Sequence, residues 1–569
     1  MRVRRGSWLV LLIAVPGYQA AETPRALIQQ YCAGCHNQRT ANAGINLGDA
    51  DLSRVASNPQ MWEKVISKVR AGAMPPLGLP RPGRTALDSF ASYLETSLDA
   101  ASVRPEPHPA ALRRLNRAEY AAAIRDLLHL DIDVASMLPA DDSNHGFDNN
   151  ADALRVSPAL LEGYIAASRK VSRIAVGDPA ITPAFSTYRV RPDMGQDTHV
   201  EGLPLGTRGG LLVEHTFPLD GFYIFKTKLA VNTSAKVRGL DYEHRVIVII
   251  DGVKVHEAKL GGPADVDAAA LSPPDSEAAI VKRLEIRVPV KAGPHKVGVT
   301  FVRKTNAQPD GYLQPWLRTN FDTQEQRGVP FVESFSIGGP FEGRKPGDTP
   351  SRRAIFVCHP AGTSSDVTCA KRILGTLARR AYRRPVTDAD LEALLSLYQA
   401  GTNAGGFEAG IERALRFILN SPEFIFQVAP APVELASRLS FFLWSSLPDD
   451  ELINLSSQGK LKDPIVLEKQ VRRMLADPRS RALSTNFAAQ WLYLRNLTGA
   501  TRDLEIFPDF DDNLRQGFRQ ETEMFFDSIV REDHSALDLL SANYTFVNDR
   551  LAKHYGIANV YGNYFRKVT

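Results

Sequence analysis

A surplus of charge of one sign is what this sequence most clearly lacks. It carries 68 Lys and Arg against 64 Asp and Glu, a formal net charge of +4 at pH 7, and has no basic run that suits a polyanion. This balance gives no support to DNA or RNA as a partner. Cysteine is scarce, with four residues in a chain of 569. The even count agrees with every thiol being committed to a bond.

Long hydrophobic runs are missing as well. Residues 8–15 (WLVLLIAV) form an apolar run that is far shorter than the about 20 residues needed to cross a bilayer core. Arginines precede this run, and small residues follow it up to Ala20 and Ala21. The pattern predicts a secretory signal peptide over residues 1–20, with a core strand or helix as the alternative. We therefore expect a periplasmic or cell-surface protein without a transmembrane span in the mature chain.

Familiar catalytic signatures are also absent from the sequence. It contains no G-x-S-x-G elbow, no P-loop, no dinucleotide-binding fingerprint and no H-E-x-x-H. Acidic pairs occur at Asp449–Asp450 and at Glu521 with Glu523, but most such residues lie on solvated helix faces or cap helices. The catalytic residues of any enzyme activity therefore stay unknown at this level.

One short motif does carry chemistry. Residues 32–36 read Cys-Ala-Gly-Cys-His, the pattern of covalent c-type haem attachment. Two thiols three positions apart can add to the two vinyl groups of one porphyrin, and the adjacent imidazole can bind the iron. The rival interpretations are a thioredoxin-like pair, which needs a βαβ context, and half of a zinc site, which needs further ligands nearby. We predict one covalent haem c held by Cys32 and Cys35, with His36 as axial ligand, and one-electron transfer as the function.

The second axial ligand is predicted to be Met74. This residue follows an amphipathic helix predicted over residues 58–70, and two prolines come directly after it. A thioether ligand would raise the haem potential relative to a second histidine. Met61 is the competing candidate, although a methionine at a helix start is commonly packing material. Another helix over residues 87–98 completes a small all-α cytochrome c domain at 21–102, which a proline-rich hinge at 103–109 separates from the rest.

The middle of the chain alternates apolar and polar residues with a period of two. Residues 245–250 and 253–260 flank Asp251-Gly252, which predicts a β-hairpin. Further strands are predicted at 221–229, 284–290 and 296–303, so we expect a jelly-roll-like β-sandwich over 182–343. Tyr312 and Trp316 are aromatic residues that could stack on a carbohydrate ligand, although packing is the commoner role of single aromatics.

Helical segments flank this β region. A helical domain is predicted over 110–178, beginning with a capping box formed by Asn116 and Glu119. Two more helical domains are predicted at 350–430 and 431–569. Cys358 precedes a predicted helix, and Cys369 lies at its start. We predict a disulfide between them that stabilises the fold by about 2–3 kcal/mol.

The oxygen-rich loop at 139–152 has a partial likeness to a calcium loop. Counting from Asp141, oxygen-bearing residues stand at positions 1, 3, 9 and 12, with Gly146 at position 6. However, His145 stands at position 5 and Asp152 replaces the usual final glutamate. A polar turn explains the composition as well, so calcium is the weaker interpretation.

Five stretches together resemble a known family. They are residues 32–36 with 73–76, 114–120, 146–152, 378–386 and 438–444. In combination they resemble large exported proteins that begin with a planctomycete-type cytochrome c domain and continue through several domains of unknown function. The resemblance implies c-type haem binding and supplies no agreed substrate. Relatives usually extend further, which implies a truncated last domain.

Three functions from different classes follow from these features. The first is an exported electron-transfer protein with an unknown redox partner protein. The second is an oxidoreductase that uses haem c as electron acceptor and acts on an extracellular polymer such as a polysaccharide. The third is a carbohydrate-binding scaffold with an accessory haem domain. A cleft with convergent acidic residues would favour the second, and a shallow aromatic face would favour the third.

Overall fold

The computed structural model describes residues 23–101, 112–304, 328–360, 367–427, 433–503, 506–507 and 510–569. The chain divides into two compact units, Met1–Ala110 and Ala111–Thr569. The predicted signal peptide at 1–20, the hinge at 103–109, and Tyr312 and Trp316 lie outside the described residues. Within the described part, no helix is long and apolar enough to span a membrane.

The first unit consists of short helices around one core. In chain order they are α1 (Pro24–Leu27), a π-helical turn (Ile28–Cys32), 3₁₀ turns (Asn42–Gly44 and Leu52–Ser57), α2 (Pro59–Arg70) and α3 (Arg84–Ala101). The side chain of Asn58 accepts the Met61 amide at 3.3 Å and caps α2. The apolar faces of α2 and α3 bury Trp62, Phe90 and Leu94 in a shared core. Between residues 23 and 101 the structure has no strand.

The second unit opens with two helices, α4 (Arg117–Leu128) and α5 (Pro158–Val176). The predicted capping box is confirmed, because Asn116 Oδ1 accepts the Glu119 amide at 2.8 Å while Glu119 Oε2 accepts the Asn116 amide at 3.0 Å. Ser157 caps α5 through a hydrogen bond from the Leu160 amide to its hydroxyl. The polar residues before each helix therefore set where it begins.

Eight strands follow in the second unit. They are β1 (Ala184–Arg189), β2 (Thr207–Phe217), β3 (Asp220–Leu229), β4 (His244–Ile250), β5 (Val253–Leu260), β6 (Glu285–Val290), β7 (Gly293–Val302) and β8 (Val332–Arg344). They form two four-stranded antiparallel sheets, ordered β1-β8-β3-β6 and β2-β7-β4-β5. One buried cluster contains side chains of both sheets, including Phe225 and Phe335 from the first sheet and Val248 and Phe301 from the second.

The hairpin predicted at Asp251-Gly252 is confirmed. Asp251 (φ 49°) and Gly252 (φ 79°) are both left-handed, as the turn that fits twisted antiparallel strands requires. The structure adds two helices that the sequence did not predict, α6 (Pro263–Leu271) and α7 (Pro273–Arg283), between β5 and β6. Proline at the start of each helix looks like a loop in sequence, yet proline is favoured at the first helical position.

Helices fill most of the remaining chain. They are α8 (Pro350–Ile355), α9 (Val367–Tyr382), α10 (Asp388–Gly405), α11 (Phe407–Asn420), α12 (Pro422–Ile425), α13 (Glu434–Trp444), α14 (Asp450–Ser457), α15 (Pro464–Ala476), α16 (Ala489–Trp491), α17 (Asp512–Arg531), α18 (Asp538–Ser541) and α19 (Asp549–Tyr555). A π-helix (Leu483–Ala488) precedes α16.

The expectation that this last region is all-α is wrong in one respect. Strands β9 (Thr545–Val547) and β10 (Arg566–Val568) form an antiparallel pair. Each strand has three residues, too few to show a period of two in the sequence.

The helical segments at 110–178 and 350–430, which the sequence treats as separate domains, share one hydrophobic core. Side chains of α4, α5, α9 and α11 are buried together in it. Main-chain hydrogen bonds also join the segments, from Leu115 N to Ile425 O at 2.8 Å and from Gln427 N to Arg113 O at 2.7 Å. The β region is therefore inserted into a helical core that closes around both of its ends.

Candidate functional site

The Cys-Ala-Gly-Cys-His motif lies at the end of the π-helical turn of the first unit. The Ala33 amide donates to Ile28 O at 2.8 Å, and the His36 amide donates to Cys32 O at 3.0 Å. These bonds hold Cys32, Cys35 and His36 on one tight stretch of backbone. Both thiols are free, with Cys32 partly buried and Cys35 exposed. Burial raises the pKa of the Cys32 thiol to about 11.

The imidazole of His36 is held by one ring nitrogen. Its Nδ1 lies 3.1 Å from the carbonyl oxygen of Asn42. A carbonyl only accepts hydrogen bonds, so Nδ1 carries the proton and the lone pair of the neutral ring is on Nε2. The same arrangement orients metal-binding histidines in proteins generally, because the second nitrogen fixes tautomer and ring direction. His36 therefore presents Nε2 as a ligand.

A polar layer fixes the motif backbone. Asn37 Nδ2 donates to the carbonyls of Ala33 at 2.8 Å and Gly34 at 3.1 Å. The Thr40 hydroxyl donates to Cys35 O at 2.8 Å. The carbonyl of each of the three residues before His36 thus has a side-chain partner, which restricts the orientation of the two thiols.

The loop after the motif is tied back to α1. The guanidinium of Arg25 donates to Gly48 O and Ala50 O, each at 2.8 Å. The amides of Leu47 and Gly48 in turn donate to His36 O at 2.8 and 3.1 Å. Arg25 therefore stabilises the loop that positions the His36 backbone.

The two candidate methionines occupy different environments. Met61 lies in the first turn of α2 and packs against the hydrophobic core of the unit. Met74 is partly buried on the segment that leaves α2, with its amide 3.2 Å from Lys68 O. It is not among the side chains that form or pack against that core within residues 23–101. Of the two candidates, Met74 is thus the methionine that lies outside the hydrophobic core of the unit.

These residues fit a haem c. Two free thiols, an imidazole with its tautomer fixed and a thioether outside the core are the donor set that covalent haem with His and Met axial ligands requires. In the described part of the chain, no group of three or more His, Cys, Asp and Glu side chains is arranged to hold a metal ion.

In the loop at 139–152, which has the partial likeness to a calcium loop, the carboxylates bond to side chains and amides of the protein itself. Asp141 lies 2.7 Å from Arg114 Nη1 and accepts the Arg117 amide at 2.7 Å. Asp148 accepts from Asn116 Nδ2 at 2.7 Å and from Arg495. The two family-like stretches at 114–120 and 146–152 therefore meet, and these acidic groups are held apart by separate cationic and amide partners.

The acidic pair Asp449–Asp450 forms ion pairs with arginines of neighbouring helices. Asp449 pairs with Arg473 at 2.6 Å, and Asp450 with Arg379 at 2.5 Å and Arg380 at 2.6 Å. Burial raises the pKa of Asp450, but the hydrogen bonds and charges of the two arginines outweigh it and leave the pKa lowered. A cavity of about 110 Å³ beside this pair is lined by both charged and apolar side chains. It is small against the roughly 300–1,000 Å³ of ligand pockets.

Glu521 and Glu523 are engaged in the same way. Glu521 accepts hydrogen bonds from the hydroxyls of Thr545 at 2.5 Å and Tyr555 at 2.7 Å. Glu523 faces Arg481 and Arg519 at 4.0 and 3.7 Å. The two carboxylates therefore interact with different side chains.

Cys358 and Cys369 are joined by a disulfide in the structure, with Cα atoms 5.9 Å apart. The bond connects the segment after α8 to the first turn of α9. It thereby closes a loop in the helical core and uses two of the four thiols.

Sequence reasoning missed the residues that orient His36. Asn42 contacts His36 through its backbone carbonyl. Every residue type has this group, so the sequence gives no sign of the contact. Arg25 acts across 23 and 25 positions of sequence on Gly48 and Ala50. Asn37, directly after the motif, is different, because asparagine side chains often bond to nearby backbone groups. Of these residues, it is the one that could have been predicted from its residue type.

Comparison with known proteins places the chain. A family model for cytochrome c oxidase, cbb3-type, subunit III matches residues 19–94. Models of proteins of unknown function match further on: DUF1587 at 113–177, DUF1595 at 369–428 and DUF1592 at 431–557. No curated protein and no solved structure matches the chain.

The first match shows the class of protein: the chain contains a cytochrome c domain, which implies haem c and electron transfer. More particularly, the chain belongs to the multi-domain proteins in which a cytochrome c domain is followed by DUF1587, DUF1595 and DUF1592 domains. The resemblance seen in its motifs is thereby confirmed.

Proposed function

We propose that this protein is an exported c-type cytochrome that carries out one-electron transfer through a single haem. Cys32 and Cys35 would hold the group through thioether bonds, and His36 and Met74 would bind its iron. The observation that carries the proposal is the hydrogen bond from His36 Nδ1 to Asn42 O at 3.1 Å, because it prepares Nε2 as a ligand next to two free thiols.

When bound, the haem supplies a reversible one-electron iron couple. The residues of the chain bind and orient it. Asn42 fixes the tautomer of His36, Asn37 holds the turn that carries the thiols, and Arg25 holds the loop behind the histidine.

Met74 is preferred to Met61 because of its environment. Removal of Met61 from the core would leave a cavity, whereas Met74 lies outside that core, in a segment followed by two prolines. A thioether ligand also sets the direction of the potential, which is higher than with a second histidine.

Export is supported by two features. The first 20 residues have the charge and apolar pattern of a signal peptide, and cytochrome domains of the matched type are typically extracytoplasmic.

We interpret the β region as a jelly-roll sandwich. This is supported by strand pairs 1–8 and 3–6 in one sheet and 2–7 and 4–5 in the other, together with a core shared by both.

Optical spectra of the oxidised and reduced full-length protein test the ligand assignment, after expression with a c-type maturation system. The weak far-red band of methionine-to-ferric-haem ligation is expected in the wild type and in Met61→Ala, and is expected to be lost in Met74→Ala. Loss of the band in Met61→Ala alone would reverse the assignment. A spectrum unchanged in both variants would rule out methionine ligation by either residue.

A further inference from the structure

The loop that contains Met74 has little apolar packing of its own. It runs over residues 71–83, from the end of α2 to the start of α3. Pro75 and Pro82 are buried, whereas residues 76–80 are all exposed. A segment with so few buried apolar contacts gains little stability from packing. Its conformation therefore depends on the hydrogen bonds that hold it.

The two ends of the loop are fixed separately from its middle. At the start, Arg70 Nε and Nη2 donate to the Glu95 carboxylate at 3.0 and 2.6 Å, which joins the end of α2 to α3. Gly72 then ends the helix with a left-handed φ of 66°. At the far end, the Ala86 amide donates to Gly83 O at 3.0 Å and begins α3. Neither set of bonds determines the path of the chain in between.

Arg81 joins the two sides of this loop. Its Nη2 donates to the carbonyl of Gly72 at 2.5 Å, across nine positions of sequence. Its Nε is buried as well, so the guanidinium lies inside the loop and not in solvent. Within residues 71–83, all of which the structure describes, this is the one hydrogen bond that a side chain makes. Because Gly72 is two positions before Met74, the bond holds the backbone next to the proposed thioether ligand.

The charge of Arg81 makes this contact stronger than an ordinary loop hydrogen bond. A hydrogen bond from a guanidinium is charge-assisted and roughly twice as strong as one between neutral groups. Without it, the loop would populate open conformations in which the Met74 backbone is displaced. A ligand that is in place for only a fraction of the time binds more weakly by that same fraction.

We propose that Arg81 is the positioning residue for Met74 and keeps the loop closed, so that the thioether stays on the haem iron. This inference rests on the proposed haem ligation. Arg81 acts through the Gly72 carbonyl and the short backbone segment between Gly72 and Met74. An open loop would leave an axial position free, so Arg81 also limits access of small external ligands to the iron.

Competition between Met74 and imidazole for the ferric haem tests this proposal, in the full-length protein after expression with a c-type maturation system. Imidazole that replaces the thioether abolishes the weak far-red band, so an optical titration gives its apparent affinity. Arg81→Met is expected to bind imidazole about tenfold more tightly than the wild type, because more of its loops are open. Its reduction potential is expected to be lower. Arg81→Lys, which keeps a charged donor, is expected to lie between the two.

Arg84→Met is the matched control. Arg84 is three positions further along, is 70% exposed, and pairs with Asp88 at 3.2 Å without contacting the loop carbonyls. This variant is expected to bind imidazole as the wild type does. Thermal midpoints and the covalent haem content establish that each variant is folded and loaded. Arg81→Gln gives the same comparison through a milder change if Arg81→Met does not load haem.

Two kinds of failure are distinguishable. A far-red band in the wild type, with imidazole affinities of Arg81→Met and Arg81→Gln equal to that of the wild type, would overturn the role of Arg81 alone. An equal change in Arg84→Met would overturn it as well. A wild type without the band, or a band that survives in Met74→Ala, would overturn Met74 ligation itself and this inference with it.

Discussion

Replacing Arg383 by methionine is predicted to destabilise the helical core of the second unit. Arg383 is fully buried. Its Nη1 donates to Ala381 O at 3.0 Å and Phe424 O at 3.2 Å, and its Nη2 donates to Glu423 O and Phe426 O, both at 2.6 Å. Burial lowers the pKa of the guanidinium to about 10, so it is still charged at neutral pH. The side chain thus joins α9 to the end of α12.

The magnitude follows from those four bonds. Methionine fills much of the volume but donates nothing, so four carbonyls lose a charged donor, two of them in buried hydrogen bonds and two in partly buried ones. Each unsatisfied group costs about 1–3 kcal/mol, and relief of the buried charge offsets part of the sum, so we expect a loss of about 3–5 kcal/mol. Arg353→Met is the control. It breaks an exposed ion pair with Asp348 at 3.1 Å, worth at most about 1 kcal/mol.

Urea unfolding at pH 7, followed by far-UV circular dichroism, measures both changes. The expectation fails if Arg383→Met unfolds within about 1 kcal/mol of the wild type, or costs no more than Arg353→Met. An intermediate result would mean that water reaches the carbonyls once the guanidinium is removed.

Two further predictions concern pH between about 4 and 6.5, where two buried groups act in opposite directions. Burial lowers the pKa of His215 to about 4, so the folded state binds fewer protons than the unfolded one. Stability should fall by up to about 3 kcal/mol as pH drops through this range, a loss absent in His215→Gln. Burial raises the pKa of Asp511 to about 6, so the folded state binds more protons than the unfolded one. The free energy of unfolding should therefore fall by up to about 3 kcal/mol as pH rises from about 4 to 6. The Asp511→Asn variant should lack this decrease. Urea midpoints of the wild type and both variants at pH 4.5, 5.5 and 6.5 check the two slopes; parallel curves would contradict them.

Elements with a strong local signal could be predicted from the sequence. The capping box of Asn116 and Glu119 begins α4 as expected, and the turn at Asp251-Gly252 joins β4 and β5 as expected. The Cys-Ala-Gly-Cys-His motif predicted a haem domain from five residues, and a cytochrome c family model matches the residues around it. In each case a few neighbouring residues contain the whole signal.

Features that depend on distant residues could not be predicted. The helical segments on either side of the β region share a core that no local pattern reveals. Phe147 and Phe487 are far apart in sequence, yet their rings stack at 5.9 Å. The anchor of His36 is a backbone carbonyl, which any residue could supply. Local periodicity reports which face of an element is buried, but not which other element covers it.

Covalent attachment of haem at Cys32 and Cys35 underlies the whole proposed function, and the intact mass of the denatured, mature protein measures it. The mass of one haem is expected to remain on the wild-type chain after unfolding and acid extraction. It should remain on Met74→Ala, which affects only an axial ligand, and should be absent when both cysteines are replaced by alanine. A wild-type chain that loses its haem on denaturation, or that never carries one after c-type maturation, would contradict covalent attachment.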